Sequence, residues 1–100
     1  MSDFTEHLEK DRRLVILRAL TEEPDYALNE STIQFLLKQY GHGVGRDRVR
    51  LDISWLSEQS LVTVEDLAGR MMVATITQRG VDVASGNSSN AGVKRPAPGR

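Results

Sequence analysis

Cysteine is absent from the sequence. That excludes a disulfide scaffold and every zinc or iron–sulfur site built on thiolates. Histidine is nearly absent: His7 and His42 stand apart, neither beside a nucleophile or carboxylate at a recognisable spacing. We therefore expect no metal, no cofactor and no enzymatic activity. Long apolar runs are missing as well. Nothing approaches the roughly 18–20 residues that a membrane-spanning helix needs, and the opening MSDFTEHLEKDRR lacks the basic region and apolar stretch of a signal peptide. A cytoplasmic protein with no membrane partner is expected. A net basic charge is missing too: 13 bases face 14 acids, for −1. This balance argues against a protein that coats nucleic acid without regard to sequence.

What remains is a chain of 100 residues, 39% of them hydrophobic, which is enough for one small domain. Its charge is uneven. Residues 1–30 hold eight acids against four bases (−4), residues 31–60 three against four (+1), and residues 61–100 three against five (+2). An anionic partner should meet the second half. The last stretch, SGNSSNAGVKRPAPGR, is small, polar and rich in Gly and Pro, the composition of a disordered tail. The expected division is a domain over 1–84 and a tail over 85–100.

Within the domain the apolar spacing is helical first and strand-like later. A first helix is predicted over Thr5–Leu20, where Leu14, Val15, Ile16 and Leu17 cover two sides and imply contacts from two directions. Pro24 ends it by disfavouring helical geometry in the residue before. Tyr26-Ala27-Leu28 is a short extended candidate. Asn29 or Ser31 caps a second helix whose Ile33, Leu36, Leu37 and Tyr40 form one face, and Gly41 stands at its C-terminal cap. After the turn Gly41–Gly45, where His42 is expected to be exposed, a third helix over 46–59 buries Val49, Ile53 and Leu56. GHGVG follows a helix rather than a strand and lacks the lysine of a phosphate loop.

Then the period falls to two. Residues 61–65 and 71–76 read as strands, joined by 66–70, where Gly69 is free to take positive φ. Thr77 caps a last short helix over 78–84. The order is helix, short strand, helix, turn, helix, hairpin, helix. Two helices joined by a tight glycine-containing turn are a helix-turn-helix element, and a hairpin directly after makes it winged. The fold class is mainly α with a small β-hairpin wing.

The run Leu56-Ser57-Glu58-Gln59-Ser60-Leu61-Val62 is similar to the L-x-E-x-G-L-V pattern of ArsR-, MarR- and PadR-type regulators. Ile76-Thr77-Gln78-Arg79-Gly80 is similar to their L-T-x-x-G segment leaving the wing. Through Gly45-Arg46-Asp47-Arg48-Val49-Arg50 and Trp55-Leu56 the chain also resembles small winged-helix proteins of Mu-like bacteriophages. The resemblance spans about residues 8–84 and implies a winged helix-turn-helix. Two departures stand out: Ser60 where glycine is usual, which strains or removes a left-handed cap, and Gly45 where a serine cap is usual.

In such a fold the third helix reads the major groove with its N-terminal residues. Arg46, Arg48, Arg50 and Ser54 are therefore candidate DNA contacts, and Arg70 follows from the wing. The plainer reading is a solvated first turn and an ordinary hairpin charge. At 100° per residue from Val49, the residues Asp47, Leu51, Ser54 and Glu58 face outward, with Trp55 and Arg48 flanking them. Leu51 and Trp55 could thus form an interaction patch for a protein, although Trp55 could equally pack on the wing or the second helix. Lys94, Arg95 and Arg100 add weak attraction or simply solubility. Two functions stay open: a DNA-binding regulator or phage accessory factor working as a homodimer on double-stranded DNA, and a protein-interaction module with little or no DNA binding. The first helix, with Phe4 and Leu8, and the last helix are the candidate dimer surfaces.

Overall fold

The computed structural model describes residues 3–97. Its elements are α1 (Asp3–Glu22), β1 (Ala27–Asn29), α2 (Glu30–Gln39), α3 (Arg46–Glu58), β2 (Val62–Leu67), β3 (Met71–Ile76) and α4 (Gln78–Ser85). This is the expected order, and the winged-helix class holds. The strands form one antiparallel sheet in the order β1-β3-β2. Thr63 opposite Thr75 and Leu67 opposite Met71 fix the hairpin, while Ala27 opposite Thr75 ties β1 to its other edge. At the tip, Ala68 and Gly69 both have positive φ (55° and 68°), so the turn reverses the chain in a conformation that suits glycine and costs alanine.

Local chemistry explains the helix ends. Of the two candidate caps of α2 it is Asn29 that acts, accepting from the Thr32 amide at 2.8 Å. Both α2 and α3 end with the same pair of backbone bonds. The amides of Gly41 and His42 donate to the carbonyls of Lys38 and Leu37, and those of Ser60 and Leu61 to Ser57 and Leu56. The second cap puts Ser60 at φ 63°, so the left-handed cap is present and Ser60 bears its strain. Thr77 caps α4 by accepting from the Gly80 amide. The glycine there has a packing reason: a Cβ would stand 2.2 Å from the Leu61 carbonyl oxygen.

The core lies where α1, α2 and α3 meet the inner face of the sheet. Leu17, Leu20, Ile33, Leu37, Val49, Ile53, Leu56 and Leu61 are among its best-buried apolar members. Leu36, expected among them, is only half-buried. Two expectations fail outright. The segment after α4 is not a free tail over its described length. Val93 is 4% exposed, Arg13 donates to the Gly92 carbonyl at 3.0 Å, and the Lys94 amide donates to the Lys10 carbonyl at 3.1 Å. Buried Val93 and these hydrogen bonds hold it against α1. Residues 98–100, with Arg100, lie outside the described residues. His42, expected in an exposed turn, is buried, because the cap of α2 turns it inward to Asp11 at 2.7 Å. Among the described residues no helix is long and apolar enough to cross a membrane.

Candidate nucleic-acid interface

The helix-turn-helix is α2, the turn 40–45, and α3. On α3 the stripe Val49, Ile53 and Leu56 faces the core, which leaves Asp47, Arg48, Leu51 and Glu58 exposed on the far side. Leu51 is 58% exposed. Ser54, at the edge of this face, is half-buried. The hairpin β2–β3 carries a second exposed group: Glu65, Asp66, Leu67 and Arg70.

The structure separates the three arginines of the first turns. Arg48 is exposed and has no side-chain partner among the described residues. Arg50 does not point away from the protein as a free cation. Its Nε and Nη2 donate to the two carboxylate oxygens of Glu30 at 2.6 and 2.9 Å, and Nη2 also reaches the Arg70 carbonyl at 3.3 Å. Arg46 donates from Nε to Gln34 Oε1 at 2.9 Å and lies 4.0 Å from Glu30. Of the three candidate DNA contacts, Arg46 and Arg50 are thus held by α2, and Arg48 alone is without a side-chain partner among the described residues. The reason is helical geometry: positions two apart diverge by about 160°, so Arg46 and Arg50 turn toward α2 and Arg48 does not.

Glu30, the first residue of α2, is fully buried, and its carboxylate also accepts from the Met72 amide at 2.8 Å. Arg50's paired hydrogen bonds hold the Glu30 carboxyl below its ordinary range against the opposing effect of burial, helped by the Met72 amide. Glu30 in turn raises the Arg50 guanidinium. No sequence signal assigned Glu30 this part, since its partners lie 20 and 42 residues away.

A second buried charge is Asp52, paired with Arg12 of α1 through Arg12 Nε to Oδ2 and Nη2 to Oδ1, the latter at 3.2 Å. Sequence reasoning missed this pair; the signal that could have found it is a carboxylate beside the Val49–Ile53–Leu56 stripe, where burial calls for a cation. Around Asp11, burial pushes its carboxyl up, but hydrogen bonds from His42 and Lys94 outweigh that and leave it lowered.

Trp55 does not share an open patch with Leu51. The Arg13 guanidinium lies 4.0 Å from its ring centroid, and the backbone of Gly92 approaches so closely that a Cβ there would stand 2.4 Å from the ring. Arg13 of α1 and Gly92 of the C-terminal segment thus pack on its ring. Phe4 and Leu8 are exposed on the first turns of α1, whereas Val83 and Ala84 of α4 are buried. Among the described residues no group of three or more His, Cys, Asp or Glu is placed to hold a metal ion.

No family profile matches the chain. Over 91 residues, 91% of this chain and 93% of the relative, it is 57% identical to the uncharacterized protein gp26 of Escherichia phage Mu. It is 44% identical over 95 residues to an uncharacterized protein of Haemophilus influenzae, covering 95% of this chain and 92% of that one. Among solved structures it is similar to H. salinarum RosR grown from NaBr, with a TM-score of 0.62 and 27% identity over 73% of this chain. The complex structure of RosR-S4 gives a TM-score of 0.60 and 25% identity over 84% of this chain. In both cases this chain spans 64% of the RosR chain, just under two thirds.

Proposed function

The chain belongs to the family of the phage Mu protein gp26, and from that membership and its winged-helix fold we propose that it binds double-stranded DNA as a regulator or phage accessory factor. The observation that carries the reading is the uncovered outer face of α3 beside a protruding hairpin, in a fold similar to that of the winged-helix regulator RosR. In the proposed pose α3 enters the major groove and the hairpin serves as wing. Arg48 supplies the free charge of the helix, with Leu51 beside it for a thymine methyl and Ser54 at the edge. Arg70 follows from the wing, and Arg46 and Arg50 border the groove while held by Gln34 and Glu30. The protein acts as a cytoplasmic homodimer on half-sites about one helical turn apart. The reading assigns it no catalysis and no cofactor.

The exposed charges favour a second reading on one point. Asp47 and Glu58 share the α3 face with Leu51, and Glu65 and Asp66 outnumber Arg70 on the wing. Such a mixed surface suits a protein partner, with Leu51 at the centre of an interaction module.

Selection of bound duplexes from a random-sequence pool, followed by a salt series, separates the two. DNA binding predicts that Arg48→Ala and Arg70→Ala each flatten the slope of log affinity against log salt by about one where they meet phosphate. An arginine that pairs with guanine shows instead as relaxed preference at one base pair. A parent chain that enriches no duplex and shows no salt-dependent binding refutes the DNA reading.

A further inference from the structure

We propose that Glu30 is a positioning residue for recognition: one buried carboxylate locks the reading helix to the wing and neutralises Arg50, so that the two address DNA as a single rigid surface. The inference rests on the DNA reading above and goes beyond it by naming what sets discrimination. The carboxylate lies at the start of α2, takes both arms of Arg50 from α3, and takes the Met72 amide from β3 just past the hairpin tip. Arg50 closes the circuit by donating to the Arg70 carbonyl at 3.3 Å. Three parts of the motif thus meet at one group with no exposed surface.

Charge-assisted, two-armed hydrogen bonds are the most directional that side chains make. A buried carboxylate cannot release them without a large desolvation penalty, so the spacing of α3 and hairpin is fixed before any partner arrives. Base-edge hydrogen bonds demand such placement, whereas attraction to phosphate does not. Glu30 also takes one cation out of play. With Arg50 held by Glu30, the helix offers Arg48 rather than an arginine cluster, which lowers indiscriminate attraction to any duplex. Glu30 therefore favours the right sequence twice, by fixing geometry and by suppressing background.

The test compares the full-length parent with Glu30→Gln, which keeps the size and an oxygen for the Met72 amide but loses the charge. Affinity is measured against the duplex that the parent enriches and against a random duplex, each over a salt series. The expected result is tighter binding to random DNA, a salt slope steeper by about one as Arg50 is freed, and discrimination reduced about tenfold. The Met72 amide, bonded to Glu30 in the parent, should exchange slowly there and faster in the variant, both without DNA. If Glu30→Gln does not fold, Arg50→Lys decides: it keeps the charge but loses the fork, so discrimination falls while the slope holds. A folded Glu30→Gln with the parent's slope and discrimination overturns the role of Glu30 while leaving DNA binding standing. A parent that binds no duplex overturns the DNA reading and the recognition role together, and Met72 exchange then reports the clamp alone.

Discussion

Val93 makes the sharpest test of how the chain is held together, because composition and structure disagree about it. Its side chain is 4% exposed beneath a segment that composition marks as disordered. Val93→Ala removes two methyl groups from that buried position. At about 0.8 kcal/mol per buried methylene equivalent, the cost is about 1.5 kcal/mol. For a domain of this size, 1 kcal/mol moves the thermal midpoint by about 4–8 °C, so the drop should be about 6–12 °C. Trp55 supplies an independent readout, since it is the sole tryptophan and Gly92 and Arg13 cover it. Val93→Asp would have to bury an unpaired carboxylate, which undocks the segment. Trp55 emission should then shift to the red and become more open to acrylamide quenching. Gly92→Val should do the same without adding charge, because its Cβ would collide with the ring. Unchanged midpoints and unchanged Trp55 emission in all three variants would refute the docked segment.

Three further expectations can be checked by denaturation. Asp52→Asn leaves Arg12 buried without its counter-ion and should cost about 3–5 kcal/mol, whereas Arg12→Met with Asp52→Leu should lose much less, which a double-mutant cycle reads directly. Ser60→Gly relieves a non-glycine residue at φ 63° and should stabilise by about 1 kcal/mol; a loss of stability would show that the Ser60 side chain matters more than its backbone. Asp11 has its folded pKa lowered from 3.8, so its contribution is complete above that value and lost as pH falls through the depressed one. The stability gap between parent and Asp11→Asn should therefore close on acidification below pH 3.8, and a gap that widens there contradicts the assignment.

Local rules reached most of the fold. Apolar spacing, Asn29, Thr77, Gly41 and Gly69 placed the helices, their caps and the hairpin, because each of these signals acts within a few residues of itself. At Ser60 the sequence pattern left the cap either strained or absent, and the structure has the strained left-handed form. Asp52, a carboxylate beside the apolar stripe, was missed along with its partner, although its position carried a signal. What tertiary structure decided was the pairing of charges. Arg50 meets Glu30 across 20 residues, Arg12 meets Asp52 across 40, and Arg13 meets the Gly92 carbonyl across 79. A helical wheel tells which way an arginine leaves its helix, but the counter-charge waiting there belongs to another element. Composition likewise counted Gly, Ser and Pro after residue 85 and found no core. Val93, the Trp55 ring, Arg13 and the Lys10 carbonyl hold the segment together, and that surface exists only once the helices have packed.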